Sequence, residues 1–187
     1  EAVLQEKQPS STPAAVRSMY RFPVLTDSWR GRRIKARSSP SRPRHESPVQ
    51  NVFGIQTSGP GLYEFTDELA RFVRDSGLRD GLLTLFVQHT SCSLLVQENA
   101  DPDVRRDLQE FFRRLVPSSD DPKMRWLTHT TEGPDDMPAH IKAALTAVSL
   151  SIPVTDGRPA LGTWQGIYLF EHRSGAHVRR VVGHVSS

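Results

Sequence analysis

The chain has 187 residues, enough for one domain with a substantial core. Its single cysteine, Cys92, excludes an intrachain disulfide and a cysteine-rich zinc site, so any metal has to be held by His, Asp and Glu. The net charge of +3 is an average over two unlike parts: residues 1–48 carry ten Lys/Arg against four Asp/Glu (+6), and residues 49–187 carry fourteen against seventeen (−3). The acidic part has no basic stripe interleaved with aromatics, so no nucleic acid is expected as a partner. No apolar run approaches the roughly 20 residues of a membrane-spanning helix, so no membrane partner is expected either.

Residues 1–48 are rich in Pro, Ser and Arg and hold no apolar period, which predicts a disordered basic tail. An Arg- and Ser-rich leader for an organelle is the alternative, against which stand the acids Glu1, Glu6, Asp27 and Glu46. Otherwise a cytoplasmic protein is expected. Order is predicted from Val49 to the C-terminus. Val49–Thr57 reads as a strand, stopped by Ser58-Gly59-Pro60-Gly61, and Leu62–Phe65 as a second. Thr66 is placed to cap a helix with Leu69, Phe72 and Val73 on its buried stripe and Gly77 at its end. Gly81–His89 is a nearly continuous apolar run whose composition predicts a buried strand, followed by an extended piece from Ser93 to Gln97.

Asp101-Pro102 opens the clearest helix, with the aspartate as cap and the proline in the first helical position. Val104, Leu108, Phe111, Phe112 and Leu115 form its apolar face, and its arginines read as a solvated face. Trp126-Leu127-Thr128 is taken as an extended piece, and Pro138 as the start of a helix with Ile141, Ala144, Leu145 and Val148 on one face. Leu150–Val154, Thr163–Glu171 and Val178–Val185 complete the strands. Because these late strands follow one another without helices, the fold class is α+β: a single compact domain with a mixed, largely antiparallel sheet and about three helices.

The densest chemistry lies in Thr128–Ile141, THTTEGPDDMPAHI. His129 and His140 flank Glu132, Asp135 and Asp136, and neutral imidazole with carboxylate is a ligand set for zinc and similar ions. The alternative is that Asp135 or Asp136 caps the following helix and the histidines lie on the surface. His89 leaves a buried strand beside Thr90, Ser91 and Ser93, where it is either a ligand, a base or a satisfied structural residue. Cys92 reads as a small buried side chain. Arg173, at a strand end, suits a carboxylate or phosphate.

Three stretches in order, QHTSCSLLVQENADPDVRRDL, HTTEGPDDMPAHI and GTWQGIYLFEHR, resemble the YjbQ family, also called the secondary thiamine-phosphate synthase family. The likeness runs from about Val49 to the C-terminus. It implies a homotrimer of α+β domains and a polar pocket at the matching positions: His89, Ser91, Asn99, His129, Glu132, His140, Trp164, Glu171 and His172. It implies a divalent metal, zinc or magnesium, held by histidines. It implies a reaction joining an aminopyrimidine diphosphate to a thiazole phosphate with loss of pyrophosphate. In that scheme His129, His140 and His89 hold the metal. His89, Ser91, Asn99, Glu132, Glu171 and His172 form the catalytic set, while Trp164 and Arg173 contact a small phosphorylated metabolite. The Pro138 helix start and Lys142 are further candidates for phosphate. Two other readings share these residues: a metal-dependent hydrolase of a small metabolite, and a non-catalytic trimer that binds a metabolite or metal.

Overall fold

The computed structural model describes residues 49–187, and the expected tail lies outside the described residues. The elements are β1 (Val49–Thr57), β2 (Gly61–Glu64), α1 (Thr66–Asp75), β3 (Gly81–Val87), β4 (Cys92–Glu98), α2 (Pro102–Leu115), α3 (Asp136–Leu145), β5 (Ser149–Thr155), β6 (Arg158–Pro159), β7 (Gln165–Glu171) and β8 (His177–Ser186). Every strand pairing among the described residues is antiparallel. The strands form two sheets, a five-stranded one in the order β1-β8-β3-β5-β6 and a three-stranded one in the order β2-β7-β4.

The core lies between the inward faces of the two sheets and α1. Alternation along β3 turns Leu83, Leu85 and Val87 inward and leaves Leu82 and Phe86 exposed. Each such buried aliphatic side chain is worth about 1.5–3 kcal/mol relative to exposure. On β8 the inward set is Arg179, Val181, Gly183 and Val185. Gly183 is glycine because a Cβ there would come within 2.7 Å of the Phe53 ring. Leu94 of β4 and Ile167 and Leu169 of β7 meet this set from the other sheet, with Leu69 and Val73 of α1.

β7 is buried on both faces from Gly166 to Glu171. Its second face carries Tyr168 and Phe170, and Phe112 of α2 stacks edge-on against Phe170 with ring centroids 5.3 Å apart. The two-residue period therefore sends Glu171 towards the five-stranded sheet and His172 towards α2 and α3.

Four local expectations change. Thr66 is the first residue of α1 and does not cap it; its hydroxyl donates to Glu64 Oε1 and accepts the Ile167 N–H, so it ties α1 to β7. Asp101 does cap α2, accepting from the Asp103 N–H at 2.8 Å, but Phe111 and Leu115 of the predicted apolar face stay more than half exposed. No strand forms at Trp126–Thr128; a single 3₁₀ turn at Pro122–Met124 precedes it and buries Met124 instead. Helix α3 begins at Asp136, two residues before Pro138, and buries Asp136, Ala139 and Ala143 rather than Leu145, which is 58% exposed. Small alanines one turn apart let this helix lie close against β4, an advantage that a count of large apolar residues does not register.

Candidate functional site

The loop after the 3₁₀ turn is pinned before it reaches α3. The Pro134 carbonyl accepts from the Ser119 N–H at 2.9 Å and the Ser118 hydroxyl at 3.2 Å. Gly133 sits at φ +103°, a left-handed conformation that disfavours any side chain, and turns the chain into the helix. The aspartates that follow do not cap α3 through their side chains. Asp135 accepts from Arg173 Nε at 3.1 Å and from the Ser174 N–H and hydroxyl at 2.7 and 2.8 Å. Burial opposes ionisation of this carboxyl, but the Ser174 and Arg173 hydrogen bonds outweigh it and hold the group at about 2.

Asp136 is 2% exposed and divides its oxygens between two kinds of partner. Oδ1 pairs with the Arg173 guanidinium. Oδ2 faces His129 Nε2 at 2.8 Å and His140 Nε2 at 3.4 Å. Ligand-capable atoms of the three residues all lie within 4.8 Å of one another, with His129 on the exposed side. Asp136 and His140 are one helical turn apart, so α3 presents both on one face, and the pinned loop delivers His129.

The first predicted motif reaches this group through its backbone. His140 Nδ1 lies 2.9 Å from the Thr90 carbonyl. A carbonyl only accepts, so Nδ1 carries the hydrogen and a neutral ring presents the Nε2 lone pair towards Asp136. A cation between that lone pair and the carboxylate would satisfy both, and fixing the ring through its other nitrogen is the usual outer-shell device at metal-bound histidine.

The remaining predicted residues fall in three places. His89 stands outside the cluster: its Nε2 accepts the Arg180 N–H at 2.8 Å, and burial followed by repulsion from Arg179 lowers its pKa. Ser91 is buried, and Glu132 is exposed and contributes its backbone carbonyl to Arg173 Nη2 at 3.0 Å. Arg173, read as a substrate contact, thus spends its guanidinium on Asp135, Asp136 and the Glu132 carbonyl. Its role here is to hold the loop and orient Asp136.

Glu171 and His172 lie behind the cluster. Glu171 is fully buried and accepts two bonds from Arg179 at 2.6 Å, one from the Thr57 hydroxyl at 2.8 Å, and the His172 and Arg173 N–H groups at 3.0 Å. Burial alone would raise its pKa, but these bonds lower it. With its acceptor positions filled, it anchors the end of β7. His172 is 3% exposed and bonds the Ser93 hydroxyl through Nε2 at 3.0 Å; burial, then the Lys142 charge, pull it down to about 3, so the ring is neutral. Next to this pair, burial pushes the Cys92 thiol up to about 12, which excludes a thiolate nucleophile.

Asn99 and Trp164 lie elsewhere. In the β4–β7 register Cys92 pairs with Glu171 at one end and Glu98 with Gln165 at the other. The six residue steps between span about 20 Å. Asn99, bonded through its N–H to the Trp164 carbonyl, and the exposed Trp164 are therefore at the opposite end of the sheet from His172 and Arg173. The nine predicted positions do not form one pocket within a single chain. Sequence reasoning gave too little weight to Asp136, whose i, i+4 spacing to His140 was the available signal. It could not find the Thr90 carbonyl, because a backbone acceptor leaves no residue-type signature.

Residues 51–187 match the family model described as UPF0047 protein YjbQ-like. A UPF0047 protein of Synechocystis is 51% identical over 73% of this chain and 90% of its own length. The UPF0047 protein YjbQ of Escherichia coli O157:H7 is 42% identical over 71% of this chain and 94% of its own. Among solved structures, an uncharacterised YjbQ/UPF0047 family protein of Clostridium acetobutylicum is 35% identical with a TM-score of 0.62, covering 71% of this chain and 97% of that one. A conserved hypothetical protein of Thermus thermophilus is 34% identical with a TM-score of 0.60, over 71% and 97%. With its three motifs, its antiparallel sheets and these relatives in agreement, the chain belongs to the YjbQ-like UPF0047 family.

Proposed function

We propose that His129, Asp136 and His140 hold a divalent metal ion and that the protein is a metal-dependent enzyme acting on a small phosphorylated metabolite. The observation that carries this is the convergence of two imidazoles and one carboxylate within 4.8 Å, with His129 left 45% exposed on one side. Two nitrogens and one carboxylate oxygen with an accessible side are the donor set of catalytic zinc, and magnesium is the less suited ion because it prefers oxygen. When bound, such an ion supplies charge stabilisation for phosphoryl oxygens.

The protein's own groups have distinct tasks in this reading. Thr90 fixes the His140 tautomer, Arg173 orients Asp136 and neutralises its second oxygen, and Glu171 fixes the strand end that carries Arg173. The resemblance makes a transferase the first assignment: an aminopyrimidine diphosphate and a thiazole phosphate joined with loss of pyrophosphate. Purified protein loaded with zinc, then with magnesium, is expected to release pyrophosphate and form thiamine phosphate from those two substrates. Product no higher than in a His129→Ala control sinks the transferase assignment. Absence of stoichiometric metal after loading sinks the metal centre itself. The exposed side of His129 also favours a second reading, a hydrolase that admits water there, which a panel of phosphorylated and acylated metabolites separates from the first.

The homotrimer belongs to the same proposal. It is supported by the exposed Phe111 and Leu115 on α2 and Leu82 and Phe86 on β3, and by the distance separating Trp164 and Asn99 from the histidines within one chain. Contact between one protomer's Trp164 corner and its neighbour's histidines would complete the pocket, and sedimentation of the purified chain as a monomer at micromolar concentration would reject this. No helix among the described residues is long and apolar enough to cross a membrane. A cytoplasmic location is a separate part of the proposal, which cell fractionation would test.

A further inference from the structure

A cavity of about 100 Å³ lies between α2, α3 and the end of β7. That volume is room for roughly three waters, the scale of a single phosphate head. Lys142, Arg113 and His172 line it, with Phe112 and Phe170 as its apolar wall. Its charge is unbalanced. Lys142 is half-buried, and no carboxylate of the described residues pairs with it. Arg113 shares Glu110 with Arg114, so those three side chains leave a net positive charge. Glu171 touches the cavity, but its carboxylate oxygens are committed to Arg179, Thr57 and two backbone N–H groups.

His172 supplies a second, independent sign of a ligand. Its Nε2 is taken by Ser93, and no other hydrogen bond of the ring is formed. Yet among the described residues no buried side-chain nitrogen or oxygen lacks a partner. The free Nδ1 of this 97%-buried residue therefore reaches open space, and the space His172 lines is this cavity. Gln109 closes one side by donating to the Pro60 carbonyl at 3.0 Å.

We infer that this cavity binds the phosphate of a small phosphate monoester whose apolar or aromatic body rests against Phe112. Three groups that line the cavity can donate to an anion: the Lys142 ammonium, the Nη1 side of the Arg113 guanidinium (its Nε and Nη2 donate to Glu110) and His172 Nδ1–H. Three donors match the three terminal oxygens of a monoester better than the two of a carboxylate. An anion there selects the tautomer in which the Ser93 hydroxyl donates to Nε2 and Nδ1 carries the hydrogen. The inference rests on the cavity alone and stands whether or not the metal reading holds.

The test uses the full chain in excess EDTA, which keeps the outcome separate from the metal centre. Phenyl phosphate and inorganic phosphate are titrated by calorimetry, and the His172 ring is followed by ¹⁵N NMR. Phenyl phosphate is expected to bind more tightly than inorganic phosphate and to shift His172 to the Nδ1–H tautomer. Lys142→Gln should weaken binding at least about tenfold, as loss of a charge-assisted hydrogen bond does. Arg113→Gln, on an exposed helix face, should weaken it several-fold and decides the matter if Lys142→Gln does not fold. Failure of phenyl phosphate to bind, binding unchanged in a folded Lys142→Gln protein, or binding abolished by His129→Ala instead would each overturn the assignment.

Discussion

Two buried carboxylates, Glu171 and Asp136, each lie against an arginine, and their remaining partners differ. Glu171 accepts five hydrogen bonds, all of them inside the protein. Asp136 gives one oxygen to Arg173 and turns the other to two histidines, one of them 45% exposed. A buried charge surrounded by fixed donors is a structural joint, because no valence is left for anything from outside. A buried charge with one oxygen facing two imidazole nitrogens has valence directed at a shared point near solvent. Burial alone would have ranked Glu171 as the better chemical candidate; counting partners reverses the order.

That contrast can be broken most sharply at the joint. Arg179→Ala leaves the Glu171 carboxylate buried without its partner and is expected to cost about 3–5 kcal/mol, read from urea unfolding. A loss under about 1 kcal/mol would mean that Glu171 finds water or another partner and is not closed. On the open side the cost should appear in ligand rather than fold. His129→Ala is expected to lower zinc affinity at least about a hundredfold while leaving the urea midpoint nearly unchanged, because the ring is half exposed. A large stability loss with metal retained would reverse the two assignments. Arg173→Lys keeps the charge but loses the fork that grips both aspartates and the Glu132 carbonyl; zinc affinity should fall about 10- to 100-fold, measured by competition with a chelator.

The gentlest test is pH. His172 is neutral in the fold and held near 3, below its ordinary value of 6.5, so the unfolded chain takes up a proton that the folded one refuses. Its contribution is complete above about 6.5 and is lost as the pH falls, by up to about 1.4 kcal/mol per pH unit. Glu171, whose folded pKa is also lowered, adds to the loss only below its ordinary 4.5. The melting temperature should therefore decline in two stages. His89, whose pKa is also lowered in the fold, adds to the first, so His172→Asn should reduce rather than abolish the slope between pH 6.5 and 4.5. An unchanged slope in that variant would remove His172 from the account.

Much of the frame was readable from residue order, because it depends on local chemistry. The apolar run of β3, the Asp101-Pro102 start of α2 and the Gly77 stop of α1 each follow from a few neighbouring residues. The buried face of α3 was not readable, because Ala139 and Ala143 are chosen for closeness rather than bulk. The candidate site was half legible. His129 and His140 stood out by residue type, but the role of Asp136 competed with helix capping, and His89 drew notice that belongs to the neighbouring carbonyl. The separation of Trp164 and Asn99 from the histidines follows from strand register, which pairs residues some seventy positions apart and has no local signature.

Cys92 has a use beyond its packing. It is the only cysteine in the chain, it is fully buried where the two sheets meet, and its thiol is held near 12. A thiol reagent added to the native protein should find nothing to modify until the sheets part. The unaltered chain thus carries an internal clock for its own opening, read as the rate at which one equivalent of reagent is consumed. Any thiol introduced on the surface, beside Trp164 or at the head of α3, would be the sole fast-labelling position, ready to carry a probe of the proposed assembly without first removing a native cysteine.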